Sequence, residues 1–222
     1  MRVKRANIDS LNLSSSFIES TIHNESNYII EDIKTQSVFK ANKWKEMFGK
    51  PLTRNIIEAK VIHTNLGLTL PLKTFSITPS IQTIEFAGLH GYNERSKHLK
   101  IHLEELKEFF QYTRVTRLDI AIDFKDKIPN NIIKALSKHR KSFTYGNTTY
   151  YKTNKEKKTN SYFDIKIYNK ALKEKLDYSL YRVEFCFKPK YLKKLLFKDI
   201  ESIYPKLKKA IKKAINLQVE IR

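Results

Sequence analysis

The sequence predicts an α+β fold, with a central antiparallel sheet and helices packed on one face of it. Three segments, at 117–124, 164–170 and 181–187, alternate apolar and polar residues as half-buried β-strands do. At 95–111, apolar residues recur three or four positions apart, which predicts an amphipathic helix. The chain has no tandem repeat and no Gly/Ser linker, so about residues 56–190 are predicted to form one α+β unit.

The predicted elements before residue 95 are strands with one helix among them. A short strand is predicted at 6–13. Residues 27–49 are predicted to contain a helix that ends near Gly49, ahead of Pro51. Three further strands are predicted at 56–63, 66–77 and 80–88.

After residue 124 the predicted helices and strands continue to alternate. Pro129 opens a helix, and the Tyr-rich stretch 143–153 predicts a strand that leads to a polar hairpin tip at 154–161. A helical piece at 171–176 follows the next strand, and a pair of basic helices is predicted from 191 to about 216. The predicted buried stripe of the second is Ile203, Leu207, Ile211, Ala214 and Ile215.

The charge of the chain indicates the class of its partner. It has 43 Lys and Arg against 23 Asp and Glu, a formal net charge of +20 over 222 residues. Such a surface attracts polyanions, and nucleic acid is a better candidate than an anionic membrane. For the lysines near the C-terminus, a solvated helix face is an equally good explanation. The residues predicted to contact DNA are Arg117, Lys206, Lys208, Lys209, Lys212 and Lys213.

Cysteine content and hydropathy indicate the expected location. The single cysteine, Cys186, cannot form an internal disulfide, and it is expected to be a small core residue or to face the site. No apolar run reaches membrane-spanning length, and the basic N-terminus lacks the apolar stretch of a secretory signal. We therefore expect a cytoplasmic protein with no membrane partner.

The strand RLDIAIDF at 117–124 places reactive groups on one side of the sheet. Asp119 and Asp123 are four positions apart and share a face, whereas the opposite face is apolar. Two aspartates on one strand repel each other unless a cation lies between them. Carboxylate oxygens suit Mg²⁺ or Mn²⁺. The competing explanation is a salt bridge from Asp119 to Arg117 or Arg182.

Two further strands extend this polar face. In DIKIYNK, Lys166, Tyr168 and Lys170 are predicted to lie together. In YRVEFCF, Arg182 is paired with Glu184, which is a candidate third metal ligand. Arg182 either holds Glu184 in place or contacts phosphate.

The order of a D-x-A-x-D strand, a polar hairpin, I-Y-N-K and an R-x-E strand resembles the plasmid and phage replication initiators. These proteins nick DNA for rolling-circle replication and are related to relaxase-like nicking proteins. The matching part is roughly residues 80–190. The resemblance implies a sheet-based nicking domain whose tyrosine attacks a phosphodiester at the origin, helped by a divalent cation. By resemblance, Tyr168 is the nucleophile, Asp119 and Asp123 are the acidic pair, and Arg182 and Glu184 form the R-x-E strand.

A tyrosine nucleophile needs help in losing its proton, because an ordinary phenol has a pKa near 10. Nearby cations favour the phenolate, and Lys166 and Lys170 are expected to supply them. A covalent link between tyrosine and the 5′ phosphate would conserve the energy needed to rejoin the strands. Tyr162 is the main competing nucleophile.

The sequence thus predicts a metal-dependent replication initiator that nicks and rejoins one strand at a plasmid or phage origin. Its expected partners are single-stranded or hairpin DNA and a host helicase. Residues 1–190 are predicted to form the nicking domain, with basic helices at 191–222 packed on it or extending it. The alternatives are a nicking protein of a conjugative element and a basic module that binds DNA or RNA without chemistry.

Overall fold

The fold is α+β, as predicted. The computed structural model describes residues 3–15, 28–35, 55–63, 68–70, 72–77, 82–87, 107, 110–153 and 162–222. For the strands between 28 and 87, and for residue 153, only the backbone is described. The chain divides into two compact units: unit 1 comprises residues 1–9, 116–195 and 199–222, and unit 2 comprises 10–115 and 196–198.

The described helices and strands are as follows in chain order. The strands are β1 (Lys4–Ser15), β2 (Tyr28–Thr35), β3 (Asn55–His63), β4 (Leu68–Leu70), β5 (Leu72–Ile77), β6 (Gln82–Ala87), β7 (Arg114–Lys125), β8 (Arg140–Tyr145), β9 (Thr148–Thr153), β10 (Phe163–Asn169), β11 (Leu180–Phe187) and β12 (Val219–Ile221). The helices are α1 (Asn130–His139), α2 (Lys170–Glu174), α3 (Pro189–Leu192) and α4 (Tyr204–Ile215), and a 3₁₀ helix spans Phe197–Ile203.

Unit 1 is built on a seven-stranded sheet in the order β12-β1-β7-β11-β10-β9-β8. The strand β11 is antiparallel to both of its neighbours, β7 and β10. The strands β9 and β8 continue the antiparallel pairing to the sheet edge. Because β12 runs parallel to β1, the sheet is mixed rather than wholly antiparallel.

The two longer helices of unit 1, α1 and α4, lie on one side of this sheet. The helices α1 and α4 contact each other, and α1 also contacts β8 and β9. Their buried residues recur at helical spacing and cover the apolar face of the strands. The buried residues are Ile132 and Leu136 of α1, Leu207, Ile211 and Ile215 of α4, and Leu118, Ile120, Ile122, Ile165, Val183 and Phe185 of the strands.

Unit 2 contains a second set of antiparallel strands. The strand β3 pairs with β2, β4 and β5, and β6 pairs with β5 and with residues 10–15 of β1. The prediction of a helix at 27–49 is wrong at 28–35, where β2 lies. Strand-favouring Tyr28, Ile29 and Ile30 begin that segment, and their β propensity is the physical reason. The rest of that predicted helix lies outside the described residues, as does most of the helix predicted at 95–111.

Two predictions in unit 1 also need correction. The stretch 143–153, predicted as one strand, contains a turn, and Gly146 adopts the left-handed conformation there (φ 55°). The predicted hairpin tip at 154–161 lies outside the described residues. The C-terminal pair of helices is one long helix, α4, preceded by short helical turns. Its predicted stripe is buried except for Ala214, which is half-buried.

No helix among the described residues is both long enough and apolar enough to cross a membrane.

Candidate functional site

Strand register places the polar residues of β7, β11 and β10 on one face. Asp123, Arg182 and Tyr168 lie directly opposite one another across the three strands. Two residues along β10, Lys166 is opposite Glu184. Successive residues of a strand point to opposite faces, so this polar face is the one opposite the apolar core. We call it the carboxylate face.

Glu184 is the centre of the cluster on this face. It is 4% exposed, and its Oε1 accepts a hydrogen bond from Nζ of Lys166 at 2.6 Å. Its Oε2 accepts a hydrogen bond from the hydroxyl of Tyr168 at 2.9 Å. The thiol of Cys186 lies 3.5 Å from Oε1, so this cysteine faces the site. The carboxylate therefore joins a phenol and an ammonium group.

Asp119 lies beside Glu184 and is completely buried. Arg117 donates two hydrogen bonds to it, at 2.8 and 2.5 Å, so of the two arginine partners considered, Arg117 pairs with Asp119. Nζ of Lys166 is 3.9 Å from Oδ2 of Asp119. Burial raises the pKa of Asp119 to about 7, and the charge of Glu184 adds to this while Arg117 opposes it.

Glu184 has the opposite pKa shift. Burial alone would raise its pKa, but the charge of Lys166 and hydrogen bonds from Asp119, Lys166 and Tyr168 outweigh burial and hold the pKa at about 2. Near neutral pH the pair therefore keeps Glu184 ionised and leaves Asp119 to take up the shared proton. The Lys166 ammonium stays charged, because Cys186, Glu184 and Asp119 raise its pKa more than burial lowers it.

Arg182 forms a second cluster on the same face. Its side chain is completely buried, and its Nε and Nη2 donate to the two oxygens of Asp123 at 2.8 and 3.0 Å. Its Nη1 donates to Asp9 at 2.5 Å. The guanidinium thus joins β1, β7 and β11. The guanidinium of Arg182 binds Asp9 and Asp123 rather than Glu184. Because it is completely buried, a phosphate cannot reach it in this structure.

Tyr168 is on the same side of the sheet as the acids, but it is only 6% exposed. Burial raises the pKa of its hydroxyl well above the ordinary value, and the charge of Glu184 raises it further. The expectation that cations around Tyr168 favour the phenolate is therefore wrong for this state. Lys170 is not on the strand face: it begins α2, where its Nζ contacts Glu174 at 2.7 Å.

The residues predicted to bind a metal are divided between the two clusters. Asp119 and Glu184 lie together with Cys186, and one potential ligand atom from each lies within 4.8 Å of the others. Asp123 belongs to the Arg182 cluster instead. Two carboxylates, completed by water and substrate phosphate, are a common ligand set for Mg²⁺, so Asp119 and Glu184 fit a divalent cation. The Lys166 ammonium occupies the space between these two carboxylates.

The remaining candidate residues are Tyr162, Arg117 and the lysines of α4. Tyr162 is 50% exposed and precedes β10. Arg117 is partly exposed, but its guanidinium is engaged by Asp119. The five lysines of α4 are on the helical side of the sheet, away from the carboxylate face. They are Lys206, Lys208, Lys209, Lys212 and Lys213.

Sequence reasoning missed Asp9 as a member of the site. It is 6% exposed and lies 173 positions from its partner Arg182. Asp9 is the single acid of β1, and this was the available signal, since a buried charge needs a partner.

Comparison with known proteins gives a structural similarity but no sequence match. No protein family profile matches the sequence, and no curated protein matches it. A solved structure of a rolling circle replication initiator protein from Geobacillus stearothermophilus is similar at 14% identity, with a TM-score of 0.43. The similarity covers 83% of this chain and 74% of that one. Because this similarity is low, we base the function on the residues of the site.

Proposed function

We propose that this protein nicks one strand of DNA with Tyr168, holds the cut end as a phosphotyrosine and later rejoins it, starting rolling-circle replication of a plasmid or phage. The observation that supports this proposal is the hydrogen bond from the Tyr168 hydroxyl to Glu184, on a face that also carries Lys166 and Asp119. Covalent catalysis requires a nucleophile that is hydrogen-bonded to a base, and a third group that orients the base.

The chemistry follows from these contacts. As the Tyr168 oxygen attacks phosphorus, its proton passes to Glu184, which lies 2.9 Å away and is ionised. Because the pKa of Glu184 is only about 2, the proton moves on to the neighbouring Asp119, whose pKa is about 7. The bond between phosphorus and the 3′ oxygen breaks, and that oxygen takes up a proton from water as it leaves. The Lys166 ammonium can stabilise the negative charge that develops on the nonbridging oxygens. Attack by a 3′ hydroxyl on the phosphotyrosine reverses these steps and rejoins the strand.

The buried hydroxyl requires a movement before DNA can reach it. The five-residue helix α2 begins two residues after Tyr168, and Nζ of Lys173 in α2 lies 5.3 Å from the centre of the tyrosine ring. A helix this short is held mainly by its tertiary contacts, so its displacement is a low-energy way to uncover the ring. We propose that the entering strand displaces α2.

A divalent cation, Mg²⁺ or Mn²⁺, is part of the proposal. It would be held by Asp119 and Glu184, and when bound it would neutralise charge on the phosphate and align the scissile bond. Because the Lys166 ammonium is 2.6 Å from one of these carboxylates and 3.9 Å from the other, it must swing aside to admit the ion. Asp123 is outside this set.

DNA, in single-stranded or hairpin form, is the proposed partner of the carboxylate face. Strand separation beyond the nick needs a motor, and we propose a host helicase for that step. The net charge of +20 supports binding of DNA, whether single-stranded or double-stranded.

The experiment is a nicking assay on supercoiled DNA that carries the sequence adjoining the gene. With Mg²⁺ or Mn²⁺, the protein should produce nicked circles with protein attached to the 5′ end, seen on a denaturing gel. Tyr168→Phe should abolish the adduct and leave salt-sensitive binding nearly unchanged. The exposed Tyr162→Phe is the matched control and should keep the adduct. An adduct that persists in Tyr168→Phe and disappears in Tyr162→Phe would reassign the nucleophile.

A DNA-binding protein without chemistry is the second candidate. The observation that favours it is the pairing of the acids on the carboxylate face with cations, because a fully paired polar cluster also serves to fix strand register. It predicts salt-sensitive binding and no covalent adduct with any divalent cation.

A further inference from the structure

A pocket of about 530 Å³ lies on the helical side of unit 1. Helices α1 and α4 contribute small residues to its lining, Ala135 from α1 and Ala210 and Ala214 from α4. Phe163 of β10 also lines it, and this residue alternates with Asp164 and therefore points away from the carboxylate face. The volume lies within the range of small-molecule sites, roughly 300–1,000 Å³.

Two aromatic rings form one wall of the pocket, and neighbouring groups hold both in place. Phe163 and Tyr191 meet edge to face, with their ring centres 6.0 Å apart. The Arg140 guanidinium lies over the Phe163 ring at 4.6 Å. Tyr191 exchanges hydrogen bonds with Lys206, whose backbone oxygen accepts from its hydroxyl at 3.0 Å and whose Nζ donates to its backbone oxygen at 2.9 Å. The Lys206 ammonium also lies over the Tyr191 ring at 4.2 Å, so both rings are held in fixed positions with a cation over each.

Cations surround this aromatic wall. Lys206, Lys209 and Lys213 line the pocket and recur at spacings of three and four, which places them along one side of α4. Arg140 adds a fourth positive charge, and none of the described residues that line the pocket carries a carboxylate. In the part of the chain that the structure describes, neither Lys209 nor Lys213 forms an ion pair. The pocket thus combines two aromatic rings with several positive charges.

We propose that this pocket binds a nucleotide unit of an unpaired DNA strand. The base would stack on the Arg140 guanidinium, which itself lies over the Phe163 ring, and the phosphates would contact Lys209 and Lys213. A membrane surface would use the charge but not the recessed aromatic wall, which is why a nucleotide fits better. The site is on the side of the sheet opposite Tyr168, so it does not depend on the proposed nicking reaction.

The remaining lysines of α4 provide a matched control. Lys208 and Lys212 are on the same helix but do not line the pocket. The double variants Lys209→Ala/Lys213→Ala and Lys208→Ala/Lys212→Ala remove the same charge from the same helix. A third variant, Ala210→Leu, narrows the pocket without changing the charge. Thermal unfolding of each variant checks that it is folded.

The probe is a short fluorescein-labelled oligothymidylate, and binding is measured by anisotropy across a salt series in chelator, where metal-dependent nicking is absent. We expect Lys209→Ala/Lys213→Ala to weaken binding roughly tenfold and to lower the salt slope by about 1.4. Lys208→Ala/Lys212→Ala should have a clearly smaller effect, and Ala210→Leu should weaken binding at an unchanged salt slope.

Three outcomes would overturn the proposal. If the two double variants lose the same oligonucleotide affinity, the lysines of α4 attract the polyanion diffusely and the pocket is not the site. Unchanged binding by a folded Ala210→Leu would mean that the pocket is not occupied. Phosphatidylserine vesicles and inorganic phosphate are tested as competitors. If either displaces the oligonucleotide from wild type but not from Lys209→Ala/Lys213→Ala, the pocket recognises charge alone.

Discussion

Asp123 and Arg182 lie directly opposite each other on neighbouring strands and share two hydrogen bonds, at 2.8 and 3.0 Å. The same guanidinium also binds Asp9. A buried arginine therefore supplies the positive charge that two of the acids on this face require, in a region where the sequence alone led us to expect a metal ion. This cluster contributes to the fold, whereas Asp119 and Glu184 are the acids proposed for chemistry.

Removing the guanidinium should destabilise the protein strongly. In Arg182→Met, Asp9 and Asp123 become unpaired, and breaking a buried ion pair from one side costs about 3–5 kcal/mol in the free energy of unfolding. Urea denaturation measures this cost. Arg182→Lys should lose less, because it keeps the charge but not the two-point geometry.

Arg222 provides the control for that experiment. It pairs with Glu220 at the surface, where both side chains are about half exposed, so Arg222→Met should barely change the denaturation midpoint. Equal midpoints for Arg182→Met and wild type would show that the buried cluster does not stabilise the fold.

Lys166 and a divalent cation should compete for the same position between Asp119 and Glu184. Replacing the ammonium by an amide in Lys166→Gln removes the competing charge, so we expect Mn²⁺ to bind about tenfold more tightly, a gain of about 1.4 kcal/mol. Titration calorimetry measures the affinity. Lys188→Gln, which removes an ammonium paired with Asp164 instead, should leave Mn²⁺ affinity unchanged. If neither substitution alters Mn²⁺ binding, the ion is not held between these carboxylates.

The sequence predicts which acidic residues share a face of the sheet, because side chains along a strand alternate between the two faces. That alternation placed Asp119 and Glu184 on one face with Tyr168, without any knowledge of distant contacts. It did not reveal that Arg182 binds Asp9, since nothing local specifies a contact across 173 positions. Nor did it reveal the end of β10: Lys170 continues the alternation, but the side chain of Asn169 accepts a hydrogen bond from the Leu172 amide and begins a helix there.

The raised pKa of Asp119 should make stability fall as the pH rises towards 7. Its folded pKa is about 7, against an ordinary value of 3.8, so the folded state holds the proton more tightly. This contribution is full below about pH 4 and is lost as the pH rises through about 7. The contribution of Glu184 changes in the opposite direction: its pKa is lowered from 4.5 to about 2, so this stability is full above about pH 4.5 and is lost as the pH falls towards 2, almost entirely below this window.

Asp119→Asn should therefore flatten the pH dependence of unfolding between about pH 4 and 7, because an amide has no proton to lose. Urea midpoints measured across this range in chelator give the comparison. Asp177→Asn, at an exposed position, should leave the wild-type slope in place. An Asp119→Asn slope equal to that of wild type would show that the buried acid does not titrate in this range.

Glu184→Gln tests the transfer of the Tyr168 proton. The amide keeps a hydrogen-bond partner for the hydroxyl, but it cannot take up the proton, and loss of a general base typically costs about 10²–10⁴ in rate. We expect the rate of adduct formation to fall by that factor while the fold of the DNA-free protein is unchanged. Glu174→Gln is the matched change at an acid that contacts Lys170 instead, and it should leave the rate near that of wild type.

The pH dependence of the Glu184→Gln rate shows which step is lost. If the rate is low at neutral pH and rises with pH towards the phenol pKa, the lost step is deprotonation, since hydroxide then replaces the base. A rate that is low and independent of pH would instead assign to Glu184 a role in holding the metal or the fold.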